Sequence, residues 1–262
     1  MPVALLVAAA VAAGVTGSAS GQGETTVVQN PCLGPDAAKL LCPNLRMHPP
    51  ADLSISTTRT GRRLLHATNS IDSRGEGPAE LRGKRNGRHY MTADQRVLLK
   101  GGGRRTLSTP AFLGFKHIPG QGGYWKFKDA AVFEMWRLDS KNTPIAKVAT
   151  GPKQYYCLRD LFRTAPQMAG SPPARVYPKC NQDKNRDSVT LGTSIGWSDV
   201  YPASYNEQYI DITGLKGRFG FFHIADPKNG IWENNEDDNA AMTIVSLPSG
   251  KVLGTRGPMP RP

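Results

Sequence analysis

The chain has only five histidines in 262 residues, and no two share a spacing that would converge on one metal ion. They are His48, His66, His89, His117 and His223. Cysteine is scarce too. The four residues include no Cys-x-x-Cys pair, which argues against a zinc ribbon or a dithiol redox motif. No Gly-x-Ser-x-Gly elbow, Walker-type loop or His-Glu-x-x-His helix occurs, so hydrolase, NTPase and zincin readings have no motif behind them. Long apolar runs are missing: the longest, Val3 to Ala13, is too short to span a bilayer. Helical periodicity is absent as well, apart from single turns expected near Ala37 to Leu41 and Leu158 to Phe162. Acidic residues are outnumbered, 21 against 33 Lys and Arg, which leaves a formal charge of +12.

What is present fits an exported protein. The run from Val3 to Ala13 is followed by Gly14, Thr16, Gly17 and the small-residue triplet Ser18-Ala19-Ser20, the pattern of a secretory signal spanning residues 1–20. A secreted, extracellular location is expected, with no membrane attachment once the signal is removed. Residues 1–20 carry no ionisable side chain, so the whole charge falls on the mature chain. In an oxidising compartment four cysteines predict two disulfides, for which three pairings are formally possible. The simplest joins Cys32 to Cys42 and Cys157 to Cys180, each closing a short loop worth on the order of 3 kcal/mol.

Basic residues come in groups: Arg59, Arg62 and Arg63; Arg82, Lys84, Arg85 and Arg88; Arg104 and Arg105. Such a surface attracts polyanions, and outside the cell these are anionic wall polymers, acidic polysaccharides or acidic proteins. Nucleic acid is not an expected partner, because the charge is neither interleaved with aromatics nor part of a known motif.

The organisation expected is a Pro/Gly-rich lead-in over residues 21–50 with the Cys32–Cys42 staple, one domain over 51–249, and an unpacked basic tail over 250–262. Alternation of apolar and polar residues marks strands at Leu53 to Ser56 and Val132 to Arg137. Further strands are expected at Arg63 to Ala67, Arg96 to Leu99, Ile145 to Ala149, Tyr209 to Thr213, Phe219 to Ile224 and Met242 to Leu247. Many short strands with frequent Gly and Pro predict an all-β fold, a β-sandwich with long loops and few or no helices. The acidic group Glu233, Glu236, Asp237 and Asp238 lacks the spacing of a calcium loop and reads as a solvated hairpin tip.

Two segments carry a more specific signal. Gly151-Pro152-Lys153-Gln154-Tyr155-Tyr156-Cys157-Leu158-Arg159-Asp160 is one. Gly196-Trp197-Ser198-Asp199-Val200-Tyr201, running on to Tyr209-Ile210-Asp211-Ile212-Thr213, is the other. Together with Asp226-Pro227-Lys228-Asn229-Gly230-Ile231, Glu233 and Asn239, they resemble the lysyl oxidase family over about residues 125–247. The resemblance implies that Lys153 and Tyr201 match the residues that crosslink into a lysine-tyrosine quinone, and that copper assists its formation. It also implies a substrate class, peptidyl lysine or small primary amines, which that cofactor oxidatively deaminates. The strand Trp125 to Met135 aligns without a gap, yet the three alternating family histidines fall on Gly122, Tyr124 and Lys126. Alternation is what brings three imidazoles to one face of a strand, and a protonated lysine there repels a divalent ion.

The expectation is therefore a secreted pseudoenzyme that keeps Lys153 and Tyr201 without the copper ligands, its fold reused for extracellular binding. One rival is a working oxidase that recruits His117 as a ligand and Asp199 or Asp211, the carboxylates nearest Tyr201 in sequence, as proton-abstracting base. A purely structural, polyanion-binding wall protein is the other.

Overall fold

The computed structural model describes residues 29–262, so the expected signal over 1–20 lies outside the described residues. A single 3-10 turn, Ala37–Lys39, leads into β1 (Leu40–Leu41), β2 (Leu45–Met47), β3 (Ala51–Thr57) and the long β4 (Arg63–Ser73). Three consecutive hairpins follow, made by β5 (Ala79–Arg85), β6 (Tyr90–Leu99), β7 (Arg104–Ile118) and β8 (Gly122–Lys128). After the hairpin of β9 (Ala131–Leu138) and β10 (Pro144–Thr150) come short pieces separated by loops. These are β11 (Tyr155–Tyr156), β12 (Phe162–Arg163), β13 (Ser188–Thr193), β14 (Trp197–Tyr201) and β15 (Tyr209–Asp211). The chain closes with β16 (Gly217–Ala225), β17 (Ala240–Leu247) and β18 (Lys251–Met259).

Among the described residues the strands assemble into three antiparallel sheets. The first runs β11-β8-β7-β6-β5-β13, with β1 also on β6. The second runs β10-β9-β16-β17-β18, and the third β12-β14-β4-β15, with β2 and β3 also on β4. The all-β expectation holds, as does the near absence of helix. Period-two burial explains the first sheet: Met91, Ala93, Gln95 and Val97 of β6 point inward, while Tyr90, Thr92 and Asp94 face solvent. In the second sheet β16 is covered on both faces. Phe219 and Phe221 belong to the main core, whereas Phe222 and Ile224 pack with Leu138, Met242 and Ile244 in a separate cluster.

Three expectations from the sequence are corrected. The 250–262 segment is not an unpacked tail, because Lys251–Met259 is an edge strand paired with β17. Beyond it, the Arg261 guanidinium donates to the carbonyls of Asp226 and Pro227 and to Asn229 Oδ1. The lead-in keeps its Cys32–Cys42 staple but is not merely a lead-in, since β1 pairs with β6 and β2 with β4. Its backbone passes so close to Gly77 that a Cβ there would lie 2.0 Å from the Leu41 carbonyl oxygen. Last, Glu233 and Asp238 are buried and not at a solvated tip. Glu233 accepts from the Leu45 amide and the Asn239 side chain, and Asp238 pairs with Arg46 at 2.6 Å. Buried acids of this kind need fixed donors, and here the lead-in supplies several of them. The two disulfides join Cys32 to Cys42 and Cys157 to Cys180, the simplest pairing.

His223 of β16 is wholly buried between Phe133 and Phe221, and neither ring nitrogen has a hydrogen-bond partner. Burial alone lowers its pKa to about 3, below the ordinary 6.5. Folding therefore favours the neutral ring; this contribution is intact above about pH 6.5 and is lost as pH falls toward 3. Each pH unit between those values is worth about 1.4 kcal/mol. A His223→Leu variant is expected to gain unfolding free energy over the native chain at pH 4.5, with a much smaller difference at pH 7.5. Urea unfolding at both values measures it, and equal differences at the two would refute the assignment.

Candidate functional site

Gly151 and Pro152 turn the chain inward after β10. The Gly151 amide donates to the Phe133 carbonyl at 2.8 Å, and a Cβ on Gly151 would meet the Tyr209 carbonyl oxygen at 2.8 Å. Lys153 enters the interior at that point and is 1% exposed. Immediately afterwards Tyr155 and Tyr156 pair with Lys128 and Phe127 of β8, which fixes the segment against the first sheet. Tyr201 arrives from the other side as the last residue of β14, opposite Asn69 of β4. The turn after it, closed by the Tyr205 amide on the Pro202 carbonyl, folds Tyr205 back against Tyr201 with ring centroids 4.9 Å apart.

The result brings together the two residues singled out by the resemblance. Lys153 Nζ lies 4.4 Å from the Tyr201 ring centroid, 4.5 Å from that of Tyr205 and 4.7 Å from that of Tyr156. Desolvated cation–π contacts of this kind are individually worth about 2 kcal/mol. The Tyr201 hydroxyl accepts from the Cys157 amide at 3.2 Å. Burial raises the pKa of both Tyr201 and Tyr156 well above the ordinary phenol value.

Gly122, Tyr124 and Lys126 share one face of β8, as alternation requires. Lys126 is 2% exposed and points its Nζ at Tyr201, Tyr205 and Tyr124 from 5.8, 5.5 and 5.9 Å. Two ammonium-bearing side chains therefore face the same Tyr201 ring. Burial, then the charge of Lys126, lowers the Lys153 pKa to about 7. Burial likewise lowers Lys126 to about 8, against the attraction of Asp199.

Asp199 is two residues before Tyr201 on β14, hence on the same face, and fully buried. Burial raises its pKa to about 6 even though Arg159, Lys126, the Tyr201 hydroxyl and Lys153 all act to lower it. Neither carboxylate oxygen has a hydrogen bond of standard geometry. Asp211 is elsewhere: it bonds Arg62 and Thr213 near the surface, so it is no candidate base. His117 is exposed and lies opposite Gly123 in the β7–β8 register, which puts it on the other face of the hairpin from Tyr124 and Lys126. It cannot reach the Tyr201 side as a ligand.

Copper does not fit these residues. Gly122 offers no donor, the Tyr124 hydroxyl donates to the Gln121 carbonyl, and Lys126 presents an amine where imidazoles would be needed. Among the described residues no group of three or more His, Cys, Asp or Glu is placed to hold a metal ion. The acidic residues near Glu233 do not form one either.

The run Tyr156-Cys157-Leu158-Arg159-Asp160 has a structural explanation of its own. Cys157 is tied to Cys180, and the Asp160 carboxylate accepts from the amides of Val176, Tyr177 and Ser194 and from the Ser194 hydroxyl at 2.7 to 3.1 Å. Between these anchors Leu158 is held at φ 47°. Arg159 follows it and lines a small pocket with Gln121, Tyr124, Lys126, Cys180, Tyr201 and Tyr205. Sequence reading missed Tyr156, Tyr205 and Arg159 as site residues. Arg159 and Tyr156 stood inside the matched run, while Tyr205 reaches the site only through the turn after β14.

A buried lysine without a carboxylate partner costs stability. The Lys153 pKa is depressed in the folded chain, so the penalty is complete below pH 7 and fades as pH rises toward the ordinary 10.5. Lys153→Met is accordingly expected to raise the unfolding free energy, with a larger gain at pH 6 than at pH 9.5. Chemical denaturation at the two values checks this; a gain that grows with pH would contradict the burial of a strained ammonium.

Neither a protein-family model nor a curated protein matches the chain.

Proposed function

We propose that this is an exported lysyl-oxidase-like protein that is silent as an oxidase and acts by binding anionic extracellular or cell-wall polymers. The observation that carries the reading is the Lys126 side chain. Its ammonium faces Tyr201 from 5.8 Å, on the strand face where the resemblance puts copper ligands. An amine there keeps positive charge beside the ring and supplies no site for the metal that quinone formation requires in the family. Two disulfides are in keeping with an oxidising compartment.

The binding half of the reading rests on the first sheet. Arg82, Lys84 and Arg104 are exposed, and the β5–β6–β7 register puts them on the sheet's outward face. A lengthwise array of this sort suits an extended polyanion better than a compact ligand.

A working oxidase is the second reading, favoured by one distance: Lys153 Nζ to the Tyr201 ring, 4.4 Å, is the approach that a crosslink needs. Peptide mass mapping of protein expressed with copper separates the two. Unmodified Lys153 and Tyr201 peptides, together with no stoichiometric copper after purification, are expected. A joined peptide would overturn the silent assignment and restore amine substrates.

Retention on a sulfated polysaccharide matrix is expected to fall steeply between 0.1 and 1 M salt, as the screening length shrinks from about 10 to about 3 Å. The triple variant Arg82→Gln, Lys84→Gln and Arg104→Gln should elute earlier with an unchanged unfolding curve. Equal retention of variant and native chain would locate the polyanion site elsewhere or dispense with it.

A further inference from the structure

The pocket beside Tyr201 is small, with a cavity volume of about 60 Å³, and suits a small ligand. Two basic side chains in its wall, Arg159 and Lys126, share the field of Asp199 but make no ion pair among the described residues. Among the described residues no hydrogen bond reaches Arg159, and its buried Nε is without a partner. Lys126 is surrounded by tyrosine rings, with no ion pair among the described residues. The remaining charges around them are Lys153 and Lys116 on the positive side and Asp199 and Glu207 on the negative. Glu207 is engaged by Lys116 at 3.1 Å, which leaves Asp199 as the one unpaired carboxylate facing three cations.

We infer that this pocket captures a small 2-oxo acid, whose carboxylate pairs with Arg159 and whose carbonyl carbon is attacked by Lys126 Nζ to form a Schiff base. A guanidinium with open donors is the side chain suited to a carboxylate, which it grips through two parallel hydrogen bonds. An amine in a desolvated wall next to a second cation is the arrangement that makes a lysine nucleophilic. Burial lowers the Lys126 pKa to about 8, so the free amine is populated near neutral pH.

The step balances without a redox partner. The Lys126 ammonium gives a proton to solvent, and its lone pair bonds the carbonyl carbon while the C=O π pair moves to oxygen. The carbinolamine then takes up a proton and loses its hydroxyl as water. The net change is ammonium plus carbonyl to iminium plus water. This activity is independent of the lysyl oxidase resemblance, since it uses neither copper nor a quinone. It goes beyond polymer binding, and a Lys153–Tyr201 crosslink would leave Lys126 in place.

Glyoxylate with cyanoborohydride as hydride donor tests it, because reduction fixes the imine as carboxymethyl-lysine on the intact protein. Peptide mapping is expected to find one fast-labelling site, Lys126. Labelling by acetaldehyde, which lacks the carboxylate, is the comparison. Arg159→Gln should slow glyoxylate labelling about tenfold, a loss near 1.4 kcal/mol, and leave acetaldehyde labelling unchanged. Excess acetate on the native chain provides a check that needs no variant: it should slow glyoxylate at Lys126 and not at surface lysines. Labelling spread over surface lysines in proportion to exposure would overturn the proposal. So would labelling at Lys126 that ignores both acetate and Arg159→Gln.

Discussion

The arrangement at Tyr201 depends on how firmly the 151–160 segment is held. At one end the Gly151 amide is bonded to the Phe133 carbonyl; at the other the Asp160 carboxylate collects bonds from Val176, Tyr177 and Ser194. Between them the Cys157–Cys180 bridge closes a loop of 23 residues, which constrains the unfolded chain by about 3 kcal/mol. An amine forced among three tyrosines would otherwise swing toward water, given the hydration lost on burial. The sheets supply the walls of the site, and these anchors supply the force that keeps Lys153 inside it.

That force is spent on an electrostatically unfavourable group. Lys153 and Lys126 are both buried, both face the Tyr201 and Tyr205 rings, and the nearest unpaired acid, Asp199, is itself held toward its neutral form by burial. Aromatic faces compensate a cation only in part. Packing alone would favour a Met or Leu at either position, and replacing buried ionic groups by apolar ones is often neutral or stabilising. Local violations of packing preference of this kind are where functional sites are expected.

Much of the fold was legible because the strands alternate and the turns carry Gly, Pro and Asn. The strand over Val132 to Arg137 was read from alternation, yet Glu134 on it is buried because Lys147 and Trp136 Nε1 both bond its carboxylate. The acids around Glu233 looked solvated for the same reason: their donors, Leu45, Asn44 and Arg46, are nearly two hundred positions away in sequence. The last strand was hidden by composition. Lys251, Thr255 and Arg256 suit an exposed edge, where charge discourages pairing with another chain, and the same residues read as a loose basic tail. Lys153 and Tyr201 were found only through the matched segments. Tyr156, Tyr205 and Arg159 needed the turn after β14 and the disulfide to bring them in.

The amine of Lys126 decides what the site can do more than where its charge sits. Three imidazoles on alternate strand positions would hold an ion able to exchange electrons with dioxygen. A lysine stem on the same face delivers a single positive charge to Tyr201, with no orbital for that exchange. What it adds is a lone pair once the proton leaves. Beside it, Arg159 keeps a buried nitrogen free of partners in the wall of the same small pocket. The chemistry open to such a wall is addition to an electrophilic carbon, which is the capture proposed for Lys126.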